Sequence, residues 1–167
     1  MENRFELEVI NSIMIYGKML KEKGYSVKLK FWGVDAISLN EEDVIILKNI
    51  LSNSFYNVFE TLLRDGGAFN AYELGAFAKI FDVDTGEVTE FLNNMMEMSS
   101  RLMYKSNRTL EENISLKMLH IDMERFRINM LKFIRDALWD MAHNMSDEVI
   151  LKYDDVFVIE SLEYGGR

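Results

Sequence analysis

The chain has 167 residues, a length typical of one domain, and its 28 acidic and 19 basic residues leave a formal charge of −9. Apolar residues make up 49% of it, enough for a packed core and too many for a disordered tail. Cysteine and proline are both absent, which excludes disulfides, thiolate catalysis, cysteine-ligated metals and native cis-prolyl bonds. We therefore expect a single domain over residues 1–167.

The N-terminal residues carry mixed charge and lack the apolar stretch of a signal peptide. Apolar runs such as 44–47 and 156–159 are only four residues long, whereas a bilayer span needs about 20. The sequence therefore predicts a cytoplasmic protein without membrane insertion.

The first third of the chain predicts a helix, a hairpin and a second helix. Apolar residues at steps of three and four indicate a helix over 5–23, and Gly24 stands where a C-capping glycine belongs. From Tyr25 the period changes to two, which predicts a strand and a returning strand over 34–39, an N-terminal β-hairpin. Asn40 then occupies an N-cap position, with the acidic residues 41–43 in the first turn of a helix that continues to about Arg64.

Three further helices are predicted, each opened by a sequence with the spacing of a capping box. The boxes begin at Asn70, Asp84 and Thr109, and the helices they open end near residues 81, 104 and 144.

The last runs of the chain, 148–153 and 156–162, are rich in residues that favour strands, and Asp154-Asp155 lies between them. This pattern predicts a C-terminal β-hairpin. The whole layout predicts an α+β fold that is predominantly helical, with about five helices packed on a small antiparallel sheet of an N-terminal and a C-terminal β-hairpin.

The predicted helix over 110–144 carries two apolar stripes, which indicates that it is contacted from two sides. The first stripe has heptad-like spacing and contains Leu116, Leu119, Met123, Phe126, Met130 and Phe133. The second contains Ile114, Ile121, Ile128, Leu131, Ile134, Leu138 and Met141. Either the helix is clasped by neighbours of its own chain, or one stripe forms a symmetric dimer interface, for which the first stripe is the candidate interaction surface.

The segment 77–91 resembles the helix-turn-helix pattern of DNA-binding regulators. Ala78 supplies the small residue at the helix crossing, and Asp82 stands where glycine is common, since aspartate adopts left-handed geometry at modest cost. The apolar positions that would lock the helices are Phe77, Phe81, Val83, Val88 and Phe91. The resemblance implies a transcription regulator that uses residues 70–94.

The outward surface of the second helix in that segment would consist of Asp84, Thr85, Glu87, Thr89 and Glu90. DNA affinity comes largely from lysine and arginine side chains that neutralise phosphates. The three acids on this surface therefore make nucleic acid an unfavoured partner.

The chain offers little for catalysis. Asp136, Asp140 and His143 lie one helical turn apart and form a weak candidate metal site. No phosphate loop or nucleophile elbow occurs, and with two histidines any acid–base chemistry would rest on carboxylates, lysine or tyrosine. We therefore expect no cofactor and favour a protein that is not an enzyme.

Three functions stay open from the sequence. The first is a regulatory or adaptor protein that acts through protein–protein contacts as a homodimer. The second is a binding module for a hydrophobic small molecule, since twelve methionines could line an adaptable surface and the order of elements is loosely similar to vinyl-reductase-type domains. The third is the helix-turn-helix regulator.

Overall fold

The computed structural model describes residues 4–30, 36–65, 71–101 and 105–162, over which the chain forms six helices and three strands. The helices are α1 (Arg4–Glu22), α2 (Val44–Asp65), α3 (Ala71–Phe81), α4 (Thr85–Arg101), α5 (Leu110–Asn144) and α6 (Asp147–Tyr153). The strands are β1 (Tyr25–Leu29), β2 (Ile37–Ser38) and β3 (Phe157–Ser161). The predicted α+β, predominantly helical fold is confirmed.

The turn from α1 into β1 is closed by Gly24. Its φ of 91° lies in the left-handed region that favours glycine, and its N–H donates a 3.0 Å hydrogen bond to the Lys21 carbonyl oxygen. The predicted C-capping glycine is therefore confirmed.

The three strands form one antiparallel sheet in the order β2-β1-β3. Leu29 of the central strand lies opposite Ile37 on one side and opposite Phe157 on the other. The N-terminal hairpin of β1 and β2 is as predicted, although β2 is only two residues long.

The predicted C-terminal hairpin is wrong, because the run 148–153 belongs to helix α6. The hydroxyl of Ser146 accepts a 3.2 Å hydrogen bond from the Val149 N–H and so caps the helix. The Tyr153 hydroxyl donates a 3.0 Å hydrogen bond to the Asp140 carboxylate of α5. These contacts outweigh the strand preference of the apolar residues in α6, and β3 pairs with β1 instead.

The predicted N-cap at Asn40 is also wrong. Helix α2 begins at Val44, and the Asp43 carboxylate accepts hydrogen bonds from the Ile45 and Ile46 N–H groups at 2.8 and 3.3 Å. The acidic residues 41–43 therefore precede the helix. The Asn40 side chain instead joins two distant segments, as it accepts from the Val27 N–H at 3.0 Å and donates to the Gly17 carbonyl oxygen at 2.8 Å.

Of the three predicted capping boxes, the one at Thr109 is confirmed by both of its hydrogen bonds, and at Asp84 the N-cap half is confirmed. The Asp84 carboxylate accepts from the Glu87 N–H at 2.7 Å. At the start of α5 the exchange is reciprocal, since the Thr109 N–H donates to Glu112 at 2.8 Å and the Glu112 N–H donates to the Thr109 hydroxyl at 3.1 Å. The box at Asn70 and the predicted helix end near residue 104 lie outside the described residues.

The chain divides into two compact units, one of residues 1–58 and 131–167 and the other of residues 59–130. The single domain over 1–167 stays a prediction. The first unit contains the sheet, and its core is built from the apolar faces of α1, β1, α2, α5 and β3. Its fully buried side chains include Ile10, Ile13, Leu20, Leu29, Leu47, Phe55, Ile134, Leu138 and Phe157.

The second unit is built around a cluster of phenylalanines. The rings of Phe81 and Phe126 stack with their centroids 4.9 Å apart, and Phe91 meets Phe126 edge to face at 4.7 Å. Phe77 and Phe59 extend the cluster at 5.4 and 5.6 Å from Phe81 and Phe91 respectively. Aromatic pairs in these geometries stabilise the folded state by more than the burial of their apolar surface alone.

Within the described ranges, no helix has the length and apolarity needed to cross a bilayer.

Candidate interaction surface

The first apolar stripe of α5, the predicted interaction surface, lies mostly inside the protein. Four of its members are buried and two are half-buried. The buried members are Leu116, Leu119, Phe126 and Met130, and the half-buried ones are Met123 and Phe133. In this conformation the stripe serves as core for its own chain.

A different set of apolar residues of α5 is exposed. Leu110, Ile114, Met118 and Ile121 are 76%, 52%, 55% and 52% exposed. Their spacing of four, four and three residues places them on one face, which at 100° per residue lies opposite the buried Leu119. We call these four residues the α5 stripe.

A groove lies beside the α5 stripe, between α4 and α5. It has a volume of about 170 Å³ and is lined by Phe91, Asn94, Met98, Ile114, Ser115, Met118, Leu119 and Asp122. A cavity of about 150 Å³ holds a benzene molecule, so this groove has room for one large side chain. It is smaller than the roughly 300–1,000 Å³ typical of small-molecule sites.

Charged residues follow the same edge of α5. Glu111 and Arg125 lie seven residues before and after Met118, so heptad spacing places all three on one edge. The Arg125 guanidinium is 2.8 Å from the Glu87 carboxylate of α4 and 4.6 Å from the centroid of the Phe126 ring. Arg125 also lies 3.7 Å from the Asp122 carboxylate, and its side chain is 44% exposed.

The helix-turn-helix-like segment has the expected local geometry at its turn. Asp82 adopts a φ of 57°, and the Val83 N–H donates a 3.1 Å hydrogen bond to the Ala78 carbonyl oxygen. On the outward surface, Glu87 is half-buried in its ion pair with Arg125. The other four predicted surface residues are exposed, namely Asp84, Thr85, Thr89 and Glu90. The negative charges of the exposed acids therefore repel the phosphates of a nucleic acid.

The structure does not assemble the predicted metal site. The Asp136 carboxylate pairs with Arg135 at 2.9 Å, and His143 Nδ1 lies 2.8 Å from the Trp139 carbonyl oxygen. The Asp140 carboxylate accepts hydrogen bonds from Asn144, Lys152 and Tyr153. Over the part of the chain that the structure describes, no three histidine, aspartate or glutamate side chains are placed to hold a metal ion.

The first unit also has a polar cleft, which no predicted motif indicated. Its volume is about 420 Å³, and its lining residues are Lys21, Ser26, Ser38, Asn40, Glu41, Glu42 and Leu162. Lys21 and Glu42 face each other at 3.7 Å, and both polar ends of Asn40 are used within the chain. This mixed-charge lining does not suit a hydrophobic molecule.

Comparison of the chain with protein-family models, with curated proteins and with solved structures finds no match. The four exposed residues of the α5 stripe differ from the first predicted stripe, whose role as an interaction surface stays a prediction. Ile114 and Ile121 belong to the second predicted stripe, while Leu110 and Met118 were in neither stripe.

Proposed function

We propose that this chain is a non-enzymatic regulatory or adaptor protein that binds another protein chain through the α5 stripe and its adjoining groove. The observation that carries the proposal is the set of four large apolar side chains, each more than half exposed, on one helix face. Full burial of such a side chain is worth about 1.5–3 kcal/mol. A contiguous apolar face of this kind marks an interaction site more often than a scattered surface residue does.

The dimensions of the face suit an amphipathic helix as partner. Ile121 follows Leu110 by eleven positions, which corresponds to about 16.5 Å along the helix axis at 1.5 Å per residue. Helix-in-groove recognition uses anchors at steps of three and four residues, and the groove beside Met118 can take one such anchor.

The two alternative functions have less support. The apolar groove is small for a hydrophobic ligand, and the larger cleft has a polar lining. The surface that a DNA-binding helix would present carries exposed Asp84 and Glu90.

Cross-linking in the native cell, followed by identification of the attached proteins, tests the proposal. The test variant is Ile114→Asp/Ile121→Asp, which places charges on the stripe. The matched control is Leu151→Asp, at an exposed apolar residue of α6 outside the stripe. We expect wild type and control to capture the same partner chain and the double variant, with an unchanged circular dichroism spectrum, to lose it. Equal capture by all three would overturn the proposal.

A further inference from the structure

We infer that the partner of the α5 stripe is a second copy of this chain, whose α5 packs antiparallel to the first about a two-fold axis beside Met118. This inference rests on the proposed function and names its partner. It follows from the symmetry of charge and apolar residues about Met118.

The charges are arranged for self-recognition. In an antiparallel pair with its axis at Met118, a residue that precedes Met118 faces the residue that follows it by the same number in the other copy. Glu111 of each copy then faces Arg125 of the other, and the pair occurs twice. Arg125 can keep its ion pairs with Glu87 and Asp122 while it meets Glu111 of the other copy, because a guanidinium has five N–H donors.

The apolar residues agree with the same register. Ile114 of one copy lies at nearly the same level as Ile121 of the other copy. The offset is one residue, or about 1.5 Å along the helix axis. Met118 lies at the axis, where it meets its own counterpart and the groove that each copy forms between α4 and α5. Methionine suits this position because its flexible side chain fills irregular gaps.

The opposite orientation lacks this match. A parallel, in-register pair would bring Glu111 to the level of Glu111 and Arg125 to the level of Arg125, so each level would hold like charges. Exposed ion pairs contribute little affinity, but they select between orientations. Burial of the α5 stripe supplies the affinity, and the charges set the direction.

Single-cysteine variants test the orientation cleanly, since the chain has no cysteine of its own. With a short thiol-specific cross-linker, we expect Met118→Cys to join to itself. In the antiparallel pair, two copies of residue 111 lie about 21 Å apart along the axis, from fourteen residues at 1.5 Å each. Glu111→Cys alone and Arg125→Cys alone should therefore stay uncross-linked, whereas an equal mixture of the two should give a covalent dimer. Self-cross-linking of Glu111→Cys would overturn the inference.

Charge reversal provides a second test. Glu111→Arg should weaken dimerisation about five- to tenfold, because two favourable pairs become repulsive. Glu111→Arg mixed with Arg125→Glu should associate more tightly than either does alone. The control Glu90→Arg makes the same charge change on an exposed residue outside the stripe and should leave the dissociation constant unchanged. Equal weakening by Glu90→Arg would contradict the assigned pairing.

The two proposals fail in different ways. Light scattering that gives the monomer mass of 19.6 kDa at high concentration would overturn the homodimer. If the chain were a monomer but wild type captured a different protein in the cell, and the Ile114→Asp/Ile121→Asp variant did not, the proposed function would stand without the homodimer. If no partner depended on the stripe, both would fall.

Discussion

The side-chain amide of Asn129 on α5 donates a 2.8 Å hydrogen bond to the backbone carbonyl oxygen of Phe81, the last residue of α3. Carbonyl groups in the last turn of a helix have no N–H four residues further along the helix. Asn129 therefore anchors the end of α3 at the point where the chain turns, with a φ of 57° at Asp82, into α4. One polar side chain thus joins α5 to the end of α3 within the second unit.

We expect Asn129→Ala to lower the free energy of unfolding by about 1–2 kcal/mol, because it removes a half-buried hydrogen bond. Urea denaturation measures the change. The control Asn93→Ala, at an exposed position of α4, should shift stability by no more than about 0.5 kcal/mol. Equal effects of the two variants would contradict the role of Asn129.

Gly17 and Gly75 make a matched pair of helical glycines with opposite surroundings. A Cβ at Gly17 would clash with the backbone carbonyl oxygen of Leu39, whereas a Cβ at Gly75 meets nothing within 4 Å. We expect Gly17→Ala to destabilise by about 3 kcal/mol, since backbone must shift. Gly75→Ala should stabilise by about 0.5–1 kcal/mol through the better helix propensity of alanine. Thermal unfolding of both variants checks the difference in sign.

The left-handed conformation of Asp82 is open to improvement. Residues with a Cβ pay about 1–2 kcal/mol in this region, aspartate somewhat less, and glycine none. Asp82→Gly should therefore raise the unfolding free energy by about 0.5 kcal/mol, and Asp82→Val should lower it by about 1 kcal/mol. The denaturant midpoint should therefore rise in the order valine, aspartate, glycine at position 82. Any other order would argue against the left-handed turn geometry.

The Asp140 carboxylate should give the first unit an acid-sensitive contact. Burial raises the pKa of Asp140, but hydrogen bonds from Asn144 and Tyr153 and the charge of Lys152 outweigh it, so the pKa lies below its usual value. A lowered pKa in the folded state means that the stabilisation is present above the unfolded-state pKa of about 3.9 and is lost as pH falls through the folded value.

Asp140→Asn should accordingly lower the free energy of unfolding at pH 7. Its difference from wild type should shrink as the solution is acidified below about pH 4. Tyr153→Phe removes one of the hydrogen bonds that lower this pKa and should move the transition of the wild-type contact to higher pH. Urea midpoints of wild type and both variants, measured between pH 7 and pH 2.5, test this pH dependence. A destabilisation by Asp140→Asn that stays constant over this range would contradict the prediction.

Local chemistry along the chain was sufficient to predict much of the helical framework. The cap at Asp84 joins groups three residues apart, and so does the reciprocal box of Thr109 and Glu112. The left-handed positions at Gly24 and Asp82 likewise reflect the preferences of single residues. Such contacts form within one turn of chain and depend little on what packs elsewhere.

Contacts between residues far apart in the sequence determined the features that local patterns did not predict. Asn40 looked like a cap, but its partners lie 13 and 23 residues away. The run 148–153 had the composition of a strand and became a helix that is held by Ser146 and Asp140. On α5, both apolar stripes have helical spacing, so periodicity could not tell which one faces the phenylalanine cluster. Four of the six members of the first stripe are buried, Phe126 of the phenylalanine cluster among them, whereas Ile114 and Ile121 of the second stripe are exposed, because burial depends on which elements meet in space.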